Sequence, residues 1–163
     1  MKETIVIGIS DQRTSRSPNT LVTYALGSCV GVSLYDADTN IGGMAHIMLP
    51  QSVPGRDALE IDRKKFADTA IIDLLGRMVR QGANRGRIVA KIAGGANMFG
   101  IVDGNGFGDI GRRNVISVKD ILSGLDIPIV AEDTGENFGR TIFFELDTGK
   151  VKVRSLGKNM KEM

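Results

Sequence analysis

The 163-residue chain is poor in the side chains that build disulfides and metal sites: it has one cysteine, one histidine and no tryptophan. A single cysteine excludes an internal disulfide. One cysteine with one histidine supplies too few ligands for a typical structural zinc site, so no metal is expected. Either chemical reactivity or simple burial is then left to explain Cys29.

Long hydrophobic runs and an excess of one charge are also missing. Apolar runs are strand-sized and interrupted by glycine or charge, and residues 4–9 lead directly into Asp11, Gln12 and Arg13, so neither a membrane span nor a signal peptide is expected. The 21 Lys and Arg nearly balance the 19 Asp and Glu, which gives no broad electrostatic reason for nucleic-acid binding. The basic stretch Lys150–Lys161 is interpreted as a solvated strand face and terminus. We therefore expect a cytoplasmic protein without nucleic-acid or membrane partners.

The pattern of strands and helices indicates the fold class. With 42% hydrophobic residues the chain can build one sizeable core, and we expect one domain over residues 1–163. Strands are predicted at residues 4–9, 29–35, 41–49, 88–93, 127–131, 141–146 and 151–156, and helices at 66–79, with Asp62 as cap and Gly82 as stop, and around 115–125. The polar stretch Asp11–Asn19 is predicted to be a loop. Strands in pairs with helices between them, without a regular alternation, favour an α+β layered sandwich with a mostly antiparallel sheet and two main helices.

The hairpin formed by the second and third predicted strands decides whether Cys29 can meet His46. Its apolar residues are Val30, Val32 and Leu34 on one strand and Ile41, Gly43 and Ala45 on the other. If these six residues share one face of the sheet, the numbers of any two residues that lie opposite each other add up to an odd number. Cys29 then lies opposite or diagonal to His46 on the other face. The even-sum register would mix polar and apolar residues on both faces. The odd-sum register is the better solution and permits a Cys–His contact.

A cysteine attacks as a thiolate, and histidine is the side chain best suited to take its proton near neutral pH. Gly27 would let the backbone bend so that amides here, including that of Ser28, point at a developing oxyanion. The alternative is a small buried cysteine, a satisfied core histidine and an ordinary strand-entry turn, and composition alone favours it.

Six short segments stand out along the chain. They are Thr23–Val30 (TYALGSCV), Gly43–Pro50 (GMAHIMLP), Ala67–Ala70 (ADTA), Lys91–Phe99 (KIAGGANMF), Ile110–Val115 (IGRRNV) and Ala131–Gly135 (AEDTG). In this order and combination they resemble the CheD family of chemoreceptor glutamine deamidases.

The resemblance implies a cysteine hydrolase that converts glutamine side chains of methyl-accepting chemoreceptors to glutamate with release of ammonia. The implied fold is similar to the deamidating domain of cytotoxic necrotizing factor toxins, and the implied mechanism needs no cofactor. The family's nucleophile falls on Cys29, its base on His46 and its third active-site residue on Thr23, whose role could instead be local to the backbone.

Three other interpretations remain open. The protein could act chiefly as a binding partner of a CheC-type phosphatase, with Met98, Phe99 and Phe107 as candidate surface residues. The same acyl-enzyme chemistry could hydrolyse methyl esters of receptor glutamates. The G-x-G-x-x-G spacing of Gly106, Gly108 and Gly111 superficially indicates dinucleotide binding, but it does not follow a strand directly, as that fingerprint requires.

Overall fold

The computed structural model describes residues 1–52, 62–98 and 109–163, and these form an α+β fold of ten strands, two α-helices and a 3₁₀ turn at Arg85–Arg87. The strands are β1 (Thr4–Ile7), β2 (Gln12–Arg16), β3 (Thr20–Leu26), β4 (Val30–Asp36), β5 (Ile41–Ile47), β6 (Val89–Gly94), β7 (Ile129–Thr134), β8 (Arg140–Glu145), β9 (Val151–Ser155) and β10 (Lys161–Glu162). The helices are α1 (Ala67–Arg80) and α2 (Ile110–Gly124). The predicted α+β class is confirmed.

The strands make two five-stranded sheets that are mixed but mostly antiparallel. The first sheet has the order β1-β3-β8-β9-β10 and the second has the order β2-β5-β4-β6-β7. Only the β1–β3 and β6–β7 neighbours are parallel in the described residues. One apolar core lies between the sheets, and a second lies between the second sheet and both helices. The second sheet is therefore the middle of three layers.

Each helix buries one face on the second sheet. In α1 the buried residues are Ala67, Ala70, Ile71, Leu74, Leu75 and Met78, a spacing of three and four that places them on one side of a helix. The buried face of α2 is less apolar, because Asn114 and Ser117 lie on it together with Val118 and Leu122. Two polar side chains on an inward helix face need partners in the structure.

The β4–β5 hairpin has the predicted odd-sum register. Val32 lies opposite Ala45, and Leu34 lies opposite Gly43. These apolar residues line the core beneath the helices, whereas Tyr35 and Met44 on the other face pack into the core between the sheets. The alternation of apolar residues was sufficient to fix this register, since a shift of one residue would exchange the two faces.

Two local predictions are wrong. The stretch predicted as a loop contains β2, an edge strand whose polar residues pair with β5. Gln12 is buried, and its side-chain Nε2 group donates to the Ala70 carbonyl at 3.2 Å. Asp62 does not cap α1: the helix begins after Phe66, and the Asp62 carboxylate instead accepts from the Lys64 amide at 3.2 Å. Among the described residues no helix is long and apolar enough to cross a membrane.

Candidate active site between the two sheets

Cys29, His46 and Thr23 come from neighbouring positions on the two facing sheets. His46 lies opposite Gly31 in the β4–β5 ladder, and Cys29 precedes Gly31 by two residues, so the cysteine is the diagonal neighbour of the histidine. Thr23 lies on β3 of the first sheet. His46 and Thr23 have no exposed surface, whereas Cys29 is partly exposed at the edge of the core between the sheets. The imidazole therefore lies deeper than the thiol.

The hydrogen bonds of Thr23 determine which nitrogen of His46 carries the proton. Thr23 Oγ1 donates to the Ile7 carbonyl at 2.7 Å, and it lies 2.8 Å from His46 Nδ1. A hydroxyl has one proton to donate, so towards the histidine Thr23 must accept, and Nδ1 carries the hydrogen. The other nitrogen, Nε2, is left unprotonated, and no described residue forms a hydrogen bond with it. The site thus contains a buried imidazole with a free basic nitrogen.

Burial keeps both members of the Cys–His pair uncharged at rest. It lowers the pKa of His46 to about 4, and it raises the pKa of the Cys29 thiol. Both shifts have the same cause, because removal from water disfavours the imidazolium and the thiolate alike. At neutral pH the site therefore holds a thiol and, at the diagonal position, a neutral imidazole, a combination suited to proton transfer during attack on a bound substrate.

Close backbone contacts hold the segment that contains Cys29. The Cys29 carbonyl accepts from the Gly95 amide and the Gly27 carbonyl accepts from the Ala96 amide, both at 2.8 Å. Gly94 has a φ of +111°, and a side chain there would collide with the Cys29 carbonyl oxygen. A glycine at position 94, the end of β6, is therefore required by the close approach of the two backbones.

The two backbone candidates for an oxyanion site differ in the structure. The Gly27 amide is already committed, because it donates to the Ala25 carbonyl at 3.0 Å. In the part of the chain that the structure describes, the amides of Ser28 and Cys29 donate no backbone hydrogen bond. Of the amides beside the thiol, these two are the ones available to bind an oxyanion.

The candidate surface residues are only partly covered by the structure. Met98 is 48% exposed, and a side chain at Gly27 would come within 3.1 Å of its Cγ atom. Met98 therefore lies at the rim of the candidate site. Phe99 and Phe107 lie outside the described residues.

Asn114 was not identified from the sequence, although it lies close to the site. This residue of α2 is completely buried, and its Nδ2 group donates to the Ser28 and Met48 carbonyls, both at 2.9 Å. Ser28 precedes the candidate nucleophile, and Met48 follows the candidate base by two residues. The available signal was its position four and seven residues before Val118 and Ile121, which places it on the same side of a helix as these apolar residues.

Comparison with known proteins gives consistent matches. Residues 48–155 match the model of a family described as CheD chemotactic sensory transduction. A probable chemoreceptor glutamine deamidase CheD of Moorella thermoacetica is 48% identical over 96% of this chain and 93% of its own length. Proteins of the same name from Clostridium novyi (46% identity, 98% of each chain) and Lachnoclostridium phytofermentans (43%, 100% of each) are also similar. The family-model match begins just after His46, whereas these relatives span the whole candidate site.

Proposed function

The chain belongs to the CheD family, and from this premise we propose that it is a cytoplasmic chemoreceptor glutamine deamidase with Cys29 as nucleophile and His46 as base. Its substrates are glutamine side chains in the cytoplasmic region of a methyl-accepting chemotaxis protein, which become glutamates. The names of the full-length relatives support the reaction and the class of substrate. The geometry between the two sheets supports the residue roles.

The observation that carries the proposal is the hydrogen-bond chain from the Ile7 carbonyl through Thr23 Oγ1 to His46 Nδ1. It fixes the tautomer in which Nε2 can accept a proton, and it leaves that nitrogen free of other described partners. A core histidine retained only for packing would be expected to satisfy both ring nitrogens. Thr23 is thus a positioning residue that orients the base.

In the first half of the reaction, Cys29 Sγ forms a bond with the glutamine Cδ carbon while the thiol proton passes to His46 Nε2. The carbonyl oxygen becomes an oxyanion, which the Ser28 and Cys29 amides bind. The C–N bond then breaks, His46 returns its proton to the departing nitrogen, and ammonia leaves a thioester on Cys29.

In the second half, His46 accepts a proton from water as the water oxygen attacks the thioester carbon. The C–S bond breaks to give a glutamic acid side chain, which loses its proton to solvent and becomes glutamate, and His46 returns its own proton to the thiolate. Each proton that His46 accepts is given back, so the resting thiol and neutral imidazole are restored without a cofactor.

The extent of the domain and its fold relationship are also part of this proposal. We assign residues 1–163 to one cysteine-hydrolase domain, and we propose that its layering is similar to that of the deamidating domain of cytotoxic necrotizing factor toxins. The two stacked sheets with helices on one outer face support this fold relationship.

A CheC-type phosphatase is proposed as a binding partner because the exposed Met98 lies beside the segment that carries the nucleophile. Met98→Gln is expected to weaken phosphatase binding. Met160 has similar exposure, at 50% against 48%, so Met160→Gln is the matched control. Equal binding by both variants would argue against this contact.

The decisive experiment incubates the protein with a receptor cytoplasmic fragment and follows glutamine-to-glutamate conversion by mass spectrometry together with ammonia release. Wild type should convert specific glutamines, and Cys29→Ala should convert none. A parallel reaction with methylated receptor measures methanol release. Release of methanol without ammonia would show that the activity is that of a methylesterase and not of a deamidase. Release of ammonia by Cys29→Ala would show that Cys29 is not the nucleophile.

A further inference from the structure

The amide of Asn114 joins the two backbone segments that carry the candidate nucleophile and base. Its Nδ2 group donates to the Ser28 carbonyl and to the Met48 carbonyl, both at 2.9 Å. These are the only two protons that an asparagine side chain can donate. One side chain on α2 therefore ties the segment before β4 to the segment after β5.

This connection lies where the β4–β5 ladder ends. The last ladder pair at this end is Val30 with Ile47. Beyond it the two segments separate: the Cys29 carbonyl accepts from Gly95, and the Met48 amide donates to Lys65. Without Asn114, none of the described hydrogen bonds would join the two segments directly past the last ladder pair.

The cost of this arrangement indicates that it serves more than packing. Asn114 has no exposed surface, and its Oδ1 atom has no hydrogen-bond partner among the described residues. A buried polar atom without a partner is unfavourable, and an apolar side chain of similar size would avoid the penalty. An apolar side chain could not, however, bind the two carbonyls.

We propose that Asn114 is a positioning residue that sets the separation of Cys29 and His46 and keeps the Cys29 segment in its desolvated position. This inference rests on the proposed function for its effect on turnover. It assigns Asn114 no contact with the substrate. A misplacement of about 1 Å can cost about 100-fold in rate, so loss of the two Asn114 hydrogen bonds should reduce kcat strongly and change KM little.

Ser117 provides a matched control on the same helix. One turn after Asn114, its hydroxyl donates to the Pro50 carbonyl at 2.7 Å. Ser117→Ala thus also removes a bond between α2 and the segment after β5, but it leaves the Ser28–Met48 connection intact. A general loosening of α2 would affect both variants in the same way.

The test compares Asn114→Leu, Asn114→Asp and Ser117→Ala by thermal unfolding, receptor deamidation and alkylation of Cys29, which is the only thiol. We expect both Asn114 variants to lose about 10- to 100-fold in kcat. Their Cys29 should nevertheless be alkylated faster at a fixed pH, because a released segment is better hydrated and the thiol pKa falls. Ser117→Ala should stay within about twofold of wild type in both measurements.

A general loosening of α2 would also slow the enzyme and expose the thiol, so the result that supports the inference is a slower enzyme with a more reactive thiol in the Asn114 variants and not in Ser117→Ala. The inference is overturned if the Asn114 variants match Ser117→Ala in kcat and in alkylation rate. If Asn114→Leu does not fold, Asn114→Asp, which retains the size of the side chain, decides by the same two measurements. If wild type does not deamidate the receptor fragment, the proposed function fails, but the alkylation rates still test whether Asn114 holds the Cys29 segment in position.

Discussion

Thr23 Oγ1 lies 2.8 Å from His46 Nδ1, and this contact joins the first sheet to the second across their shared core. The hydroxyl that accepts the hydrogen bond from His46 Nδ1–H also donates to the Ile7 carbonyl of the neighbouring strand β1. The first sheet therefore determines the chemical form of a side chain that belongs to the second sheet.

Removal of the Thr23 hydroxyl should uncouple the sheets at this point. Thr23→Val keeps the shape of the side chain but leaves the Nδ1–H group buried without a partner, which should cost about 1–3 kcal/mol of stability. We expect kcat for receptor deamidation to fall about tenfold or more, because the base is no longer held in one tautomer.

Thr23→Ser is the matched variant because it retains the hydroxyl. It should recover most of the lost activity. If Thr23→Val and Thr23→Ser were equally impaired, the methyl group rather than the hydrogen bond would be responsible.

The histidine tautomer can be observed directly because His46 is the only histidine in the chain. Nitrogen-15 NMR of the imidazole should find the proton on Nδ1 at neutral pH, since Thr23 accepts from that atom. Titration should give a pKa of about 4, lowered by burial. A proton on Nε2 would contradict the inferred base.

The same pKa shift makes folding stability depend on pH. The pKa of His46 is about 4 in the folded protein, against 6.5 for an unperturbed imidazole. Below pH 6.5 His46 is therefore protonated in the unfolded chain while it stays neutral in the folded protein. The free energy of unfolding therefore decreases as the pH falls below 6.5, by about 3 kcal/mol in total by pH 4.

Denaturant unfolding at several pH values tests this loss. Carboxylates whose pKa is lowered in the folded protein, such as Glu132 and Glu145, have an unperturbed pKa of 4.5, so their effect begins mainly at the acid end of the histidine window, below about pH 4.5. His46→Gln should abolish the decline between pH 6.5 and 4.5. A decline that persists in this variant would have another origin.

Cys29 should behave as an unactivated thiol before substrate binds. Burial raises its pKa, and the neutral imidazole provides no positive charge to stabilise a thiolate. The alkylation rate by iodoacetamide should rise with pH to a midpoint above that of free cysteine. A plateau of reactivity already present below pH 7 would instead indicate a thiolate–imidazolium pair.

The parts of the site that the sequence predicts are those governed by local patterning. The alternation of Val30, Val32 and Leu34 determined the register, and with it the diagonal placement of Cys29 and His46. Thr20–Leu26 was not predicted as a strand because its sequence, TLVTYAL, does not alternate regularly between apolar and polar residues. The Thr23–His46 hydrogen bond depends on how the two sheets pack, and the two Asn114 hydrogen bonds depend on how α2 packs on the second sheet. No local sequence pattern encodes such contacts.

The close approach at Gly94 gives a last prediction about the backbone around Cys29, the proposed nucleophile. Gly94→Ala must place a side chain where the Cys29 carbonyl lies, at a φ of +111° that alanine avoids. We expect a loss of both stability and kcat, because the Cys29 segment has to move away from β6.

Gly124→Ala is the control, since a side chain at that helical position meets nothing within 4 Å. It should raise stability by up to about 1 kcal/mol with unchanged kcat. Thermal unfolding and receptor deamidation of the two variants separate the general effect of replacing a glycine from the specific contact with Cys29. Retention of full activity by Gly94→Ala would mean that the backbone contact does not position the nucleophile.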